Sequence, residues 1–340
     1  MRATAYQTPS PVAGEASLQD IDLPKPEPKG RDLLVEIRAV SVNPVDTKVR
    51  KTATPEAGSW KVLGWDAAGI VTATGPEARL FKPGDAVFYA GAIDRPGTNA
   101  EYHLVDERIV GPKPASLNWA EAAALPLTAI TAWETLFDRL DIRNAVIPGA
   151  AKAVLIIGGG GGVGSIAIQL ARKLSDVTVI ATASRPETQE WCKALGAHHV
   201  IDHGKPLAAQ IEALGLGAPA HVFSTTHTDM HLAEIANCIA PQGRLALIDD
   251  PASLDISLLK RKSVSIHWEF MFTRSLFGTA DIEEQHKLLA EVSRLVDDGT
   301  LRTTLSDIFG TINAKNLIRA HALIESGKAK GKIVLEGFEG

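Results

Sequence analysis

Cysteine is nearly missing: the chain of 340 residues has two, Cys192 and Cys238. Two thiols make neither a disulfide framework nor a four-cysteine zinc lobe, and such usage fits a reducing compartment. No stretch reaches the roughly 18 consecutive apolar residues of a membrane-spanning helix. The opening MRATAYQTPSP lacks the apolar core of a secretory signal. Charge of one sign is also wanting. The net charge is −5, with no long run of either sign, which argues against nucleic acid or an anionic membrane as the main partner. Repeats and low-complexity segments are absent. These exclusions leave a cytoplasmic protein acting on a small molecule as the simplest expectation. Hydrophobic residues make up 45% and charged residues 22%, an ordinary globular balance. At roughly 100–200 residues per domain, the chain has room for two domains and a sizeable core.

Residues 1 to about 120 read as β-rich. The apolar runs LLVEIRAVSV (33–42), AAGIVTAT (67–74) and DAVFYAG (85–91) are separated by turn signals such as Pro83-Gly84-Asp85 and the proline-rich loop at 24–30. From about 153 the pattern becomes strand, helix, strand, helix. Candidate strands are AVLII (153–157), VTVIAT (177–182), HVID (199–202), AHVFS (220–224), RLALID (244–249) and SVSIHW (263–268). In GVGSIAIQLARKL, Val163, Ala167, Leu170 and Leu174 are spaced for one apolar helix face. PETQEWCKALG opens on Pro186 and stops at Gly196, the usual helix punctuation. Six strands joined by helical crossovers predict a doubly wound parallel sheet. After 268 come helical stretches at 283–298 and 313–326 and a closing strand in GKIVLEG. Strands at both ends predict one discontinuous β-rich domain (1–125 plus 269–340) with an α/β domain (126–268) inserted.

The strongest functional signal is AVLIIGGGGGVGSIAIQLAR, where Gly159, Gly161 and Gly164 fit G-x-G-x-x-G. The motif alone is weak, but here it follows a strand and opens a helix, as a dinucleotide site requires. Glycines allow the tight turn, the approach of a pyrophosphate and close helix–strand packing. The helix start, with Gly162, Val163 and Gly164, then offers N–H groups to phosphate. The competing reading is a flexible glycine loop. Cofactor choice falls to the end of the second strand. An NAD site carries Asp or Glu there to hold the ribose hydroxyls. This chain reads Thr182-Ala183-Ser184-Arg185, and Ser184 and Arg185 suit a 2′-phosphate. The expected cofactor is NADPH. The alternative makes Arg185 a solvated residue at a helix start, with relaxed specificity.

The segments SVNPVDTKVR (41–50), LGWDAAGIV (63–71), FKPGDAVFYAG (81–91), LPLTAITAWETL (125–136), the glycine turn, HWEFMFTRS (267–275) and ESGKAKGKIVL (325–335) occur in this order. Together they resemble the medium-chain dehydrogenase/reductase superfamily, in its zinc-independent quinone-oxidoreductase branch, over nearly the whole chain. The resemblance implies a Rossmann domain inserted into a GroES-like catalytic domain, and a homodimer formed through Rossmann sheet edges, with SVSIHW a candidate edge. It also marks a departure. The family's catalytic zinc ligands match Asn43, Trp65 and Leu127, none of them a usual zinc ligand. No metal is therefore expected. His227 and His231, spaced i, i+4, read as helix-surface residues without a third ligand.

Without zinc to polarise a carbonyl, a quinone or α,β-unsaturated carbonyl is the easier acceptor, because conjugation spreads the incoming charge. The expected activity is hydride transfer from NADPH to such an acceptor. Two alternatives stand beside it: a zinc alcohol dehydrogenase with unusual ligands, and an NADPH-binding sensor with little turnover. By resemblance, Asn43, Asp46 and Lys48 are the catalytic candidates. Asn43 serves cofactor or substrate, or else only a turn before Pro44. Asp46 is structural or an acid–base group, and Lys48 lines the substrate cleft or is solvated. Thr128 and Lys332 match positions near the cofactor, and Ser224 and Thr225 follow the fourth strand, where open α/β sheets bind ligands. His203 bonds or stacks near the adenine or stands idle. The aromatic run 267–272 walls the cleft or packs between domains. Cys192 and Cys238 read as packing residues.

Overall fold

A computed structural model describes residues 1–338 apart from Val12, Glu15, Ala16 and Val146. The chain divides into two compact units, Met1–Ile130 with Phe272–Gly340, and Thr131–Met271. The first junction lies inside the helix Pro126–Trp133, a few residues past the boundary suggested by the sequence pattern.

The outer unit is built on the long strand Asp32–Val42, whose burial alternates only at Glu36 and Arg38. It anchors a seven-stranded sheet. Ala67–Thr74 pairs antiparallel on one flank and Lys332–Glu336 on the other, with Ile333 opposite Val42. This register carries the end of the chain to the residues that follow Val42. Asn43 then caps the helix Pro44–Thr52, with proline at its first position, where no N–H is needed. The N–H of Asn43 donates to the Asp46 carboxylate at 2.7 Å.

In the inner unit the strand Ala151–Ile157 lies at the centre of a six-stranded parallel sheet. Thr178–Thr182 and then His199–Ile201 lie on one side; Pro219–Ser224, Arg244–Leu247 and Ser265–Trp268 lie on the other. This is the doubly wound Rossmann order, with its switch point beside the central strand. All six predicted strands form; Ala151–Ile157 and Pro219–Ser224 begin one or two residues earlier than expected, and the other four are shorter by one or two residues. The first helix, Gly162–Leu174, differs from the single apolar stripe read in its sequence. Residues Gly164 through Ala171 are all buried, while Val163 and Leu174 are only partly so. A helix covered on most sides needs no polar face, and the small residues Gly164, Ser165, Ala167 and Ala171 allow that packing.

Candidate functional site

In the inner unit the chain leaves Ile157 and turns on Gly158, at φ +83°, a conformation that side chains rarely adopt. A Cβ on Gly158 would meet Thr225 Oγ1 at 2.3 Å. The turn is clamped from the neighbouring strand: Thr182 Oγ1 accepts the Gly158 N–H at 3.0 Å, and Thr182 O accepts that of Gly159 at 3.0 Å. Gly161 then forms the N-cap and has no side chain to satisfy the first-turn N–H groups. Gly162, Val163 and Gly164 supply that first turn, whose N–H groups lack intrahelical acceptors by geometry. Gly164 packs on the turn itself, and a Cβ there would meet Gly158 O at 2.3 Å. A bare, rigid turn running into an uncapped helix start fits a pyrophosphate.

At the end of the second strand Ser184 is exposed and Arg185 half-buried, its Nε 3.3 Å from Glu187 Oε1. Thr225 folds back on the turn, donating its hydroxyl to Ile157 O at 2.8 Å. Ser224 differs from the expectation of a ligand contact. It is fully buried, and its hydroxyl shares a 2.7 Å hydrogen bond with Thr228. The sequence reading passed over Gly158, the one residue of the turn with positive φ, and Thr182, its clamp. A hydroxyl ending the strand after a glycine turn was the available signal.

In the outer unit the three positions that would carry zinc ligands do come together, around Asp66. Asn43 Nδ2 donates to Asp66 Oδ2 at 3.0 Å, the Leu127 N–H donates to Asp66 Oδ1 at 2.9 Å, and Trp65 is its chain neighbour. The groups that reach Asp66 are the Asn43 side-chain amide and the Leu127 backbone N–H, and none of the three residues is a usual zinc ligand. The Trp65 Nε1–H is spent on Ala92 O at 3.1 Å. A cation is also already present: Lys332 Nζ lies 3.0 Å from Asp66 Oδ2 and donates to Asn43 Oδ1 and, at 3.1 Å, to Val42 O. This donor set does not fit zinc. Among the described residues, no group of three or more His, Cys, Asp or Glu side chains converges as a metal cage.

The cluster changes what was expected of its members. All three Lys332 donors are taken and the side chain is buried, so in this arrangement none reaches toward a phosphate. The Asn43 amide is likewise engaged, its Nδ2 also 3.3 Å from Ser41 O. Asp46 is buried. Burial pushes its carboxyl up to about 7, offset by the Asn43 N–H and Lys332, with Asp66 pushing further up. Burial also raises Asp66, against the pull of Lys332 and the Asn43 amide. Lys48 is exposed on the same helix. Thr128 is buried, its hydroxyl donating to Leu125 O at 3.1 Å. Asp66 carries no local signal in LGWDAAGIV, because its role comes from Asn43, Leu127 and Lys332, all distant in sequence. Cys192 and Cys238 are buried, and burial raises their thiols to about 12 and about 11, as packing residues require.

Residues 29–115 match the family model of the alcohol dehydrogenase GroES-like domain, and residues 195–335 that of zinc-binding dehydrogenases. A zinc-type alcohol dehydrogenase-like protein of Staphylococcus aureus (strain MSSA476) is 41% identical over 312 residues, 92% of each chain. The chain belongs to the medium-chain dehydrogenase/reductase superfamily. This medium-chain dehydrogenase/reductase is thus an oxidoreductase with a pyridine-nucleotide-binding fold. A crystal structure from Rhizobium etli CFN 42, carrying the name of a zinc-dependent alcohol dehydrogenase, is 68% identical. It superposes with a TM-score of 0.98 over 100% of this chain and 98% of that one. The 2-methylene-furan-3-one reductase of Solanum lycopersicum is 38% identical over 188 residues, 53% of this chain and 47% of its own.

Proposed function

We propose that this oxidoreductase uses NADPH to reduce a quinone or an α,β-unsaturated carbonyl, without metal. One observation carries the reading: the ammonium of Lys332 and the amide of Asn43 saturate Asp66 where zinc ligands would otherwise gather. With its pyrophosphate held by the turn from Gly158 to Gly164, NADPH would supply the hydride from its nicotinamide. A saturated ketone receiving it concentrates charge on oxygen and needs a strong electrophile there. A conjugated acceptor spreads that charge and needs only hydrogen bonds. The name of the tomato relative, a reductase of a methylene-furanone, is consistent with such an acceptor. NADPH over NADH is supported by the missing carboxylate after Thr182 and by the exposed Ser184 beside Arg185.

Absorbance of NADPH over a panel of quinones, enones, saturated ketones and aldehydes tests the proposal, each run with and without chelator. The expected result is turnover confined to conjugated acceptors and indifferent to chelator. Zinc-dependent turnover of alcohols or saturated carbonyls would sink it and favour the reading suggested by the Rhizobium etli protein's name.

A further inference from the structure

The clamp on the glycine turn extends outward to a group of histidines. Thr182 Oγ1, which accepts the Gly158 N–H, lies 3.1 Å from His203 Nδ1. The Ala183 N–H donates to Ile201 O at 2.9 Å, so the two neighbouring strands end side by side. One continues into Ser184 and Arg185, the other into Asp202 and His203. His231, on the helix Thr228–Cys238, meets His203 edge-on, with ring centroids 6.2 Å apart at 62°. His227 forms the N-cap of that helix in a left-handed conformation, φ 50°, with Nδ1 2.6 Å from Thr226 Oγ1. A left-handed backbone is uncommon outside glycine, though histidine is among the residues that tolerate it.

We infer that His203, supported by His231 and His227, reads the adenosine 2′-phosphate of NADPH as an imidazolium, beside Ser184 and Arg185. The inference rests on the NADPH reading above and adds the residues that would discriminate the phosphorylated cofactor. Burial, then His227, holds His203 below the usual histidine range, with Asp202 opposing. His231 is lowered by burial, then by His203 and His227, with Asp229 and Asp249 opposing. Of the nearby charges, Lys205 lies 3.7 Å from Asp202, and Asp249 accepts from the Thr228 N–H at 2.8 Å. His227 thus discourages a proton on His203, and both rings discourage one on His231, until an anion arrives.

A phosphate reverses this, because an opposite charge at close range favours the imidazolium. His203 Nδ1 then becomes a donor. Thr182 Oγ1, with two lone pairs, can accept from it while keeping the Gly158 N–H, so the turn stays clamped. The sign follows. Binding raises the pKa of His203, so affinity for NADPH is gained as pH falls through the bound-state value and lost as pH rises through it. NADH, without the phosphate, gains nothing.

The test is fluorescence titration of NADPH and NADH from about pH 5.5 to about pH 8.5, across the range where histidine titrates. The NADPH preference should fall with rising pH, about tenfold for each unit by which binding raises the pKa. The second ionisation of the phosphate, near pH ~6, acts the opposite way and persists in every variant. The difference between wild type and His203→Gln is therefore the readout, with His231→Gln giving a smaller change. Calorimetry of the wild type in two buffers guards against a variant that fails to fold: NADPH should bind with proton uptake and NADH without. An identical pH dependence in wild type and His203→Gln, or no uptake with NADPH, overturns the inference. No preference for NADPH at any pH overturns the cofactor reading beneath it.

Discussion

Asp46 and Asp66 share one buried cation, Lys332. With both ionised, an uncompensated negative charge would be left away from water, a costly state. The carboxyl with the weaker claim on the ammonium keeps its proton, and Asp46, pushed up to about 7, is that group. Its folded value stands above its unfolded one, so the protonated form stabilises the fold. That stability is present below the unfolded value and is lost as pH rises through about 7. Asp46→Asn keeps an acceptor for the Asn43 N–H and removes the titration. Thermal melts from about pH 5 to about pH 8 should show the wild type losing stability by at most about 3 kcal/mol, at about 1.4 per unit over the roughly two units between pH 5 and the folded value. The variant should stay nearly level; parallel melting curves for the two proteins would refute the assignment. Asn43, Asp46 and Lys332 were legible in the sequence as positions of a motif. Their mutual saturation was not, because it depends on Ile333 lying opposite Val42, nearly the length of the chain away.

At the scale of elements, the glycine turn was readable because its physics is local: a strand, a turn without side chains, a helix start. Which glycine is indispensable was less readable, since that depends on what each hydrogen faces. Gly164 faces Gly158 O and Gly159 Cα, and an added Cβ would lie 2.3 and 2.7 Å from them. Gly161 faces nothing nearer than Gly158 O at 3.5 Å. Both atoms crowding position 164 are backbone and cannot turn aside as a side chain could. Gly164→Ala should destabilise the inner unit by about 1–3 kcal/mol, the usual cost of overpacking, and weaken cofactor binding with it. Gly161→Ala should melt close to wild type. Equal melting temperatures for the two variants would contradict the packing argument. The helix that follows shows the limit of periodicity. Its spacing suggested one buried stripe, but burial from Gly164 to Ala171 depends on tertiary cover that a helical wheel does not contain.

At the scale of the whole molecule, the six-stranded sheet ends in the strand Ser265–Trp268, and among the described residues no strand pairs on its outer side. The Ser265 and Glu269 N–H groups donate inward, to Gly243 and Leu247. The N–H groups of Ile266 and Trp268, one residue out of phase, therefore point away from the sheet. An open edge of this kind invites pairing, and soluble proteins usually blunt it with charge or cover. Here the edge carries no Lys, Asp or Glu, and Trp268, Ile256 and Leu258 are exposed on the same unit. A second copy of the chain is the occupant we propose: a two-fold axis through the edge would set the strand against itself and bury the indole. Symmetry makes the test sharp, because a single substitution places two like charges face to face. Sedimentation equilibrium should find the wild type as a homodimer and Trp268→Glu largely monomeric, with the monomer still folded by circular dichroism. A monomeric wild type, or a Trp268→Glu dimer as tight as the native one, would rule out pairing through this strand.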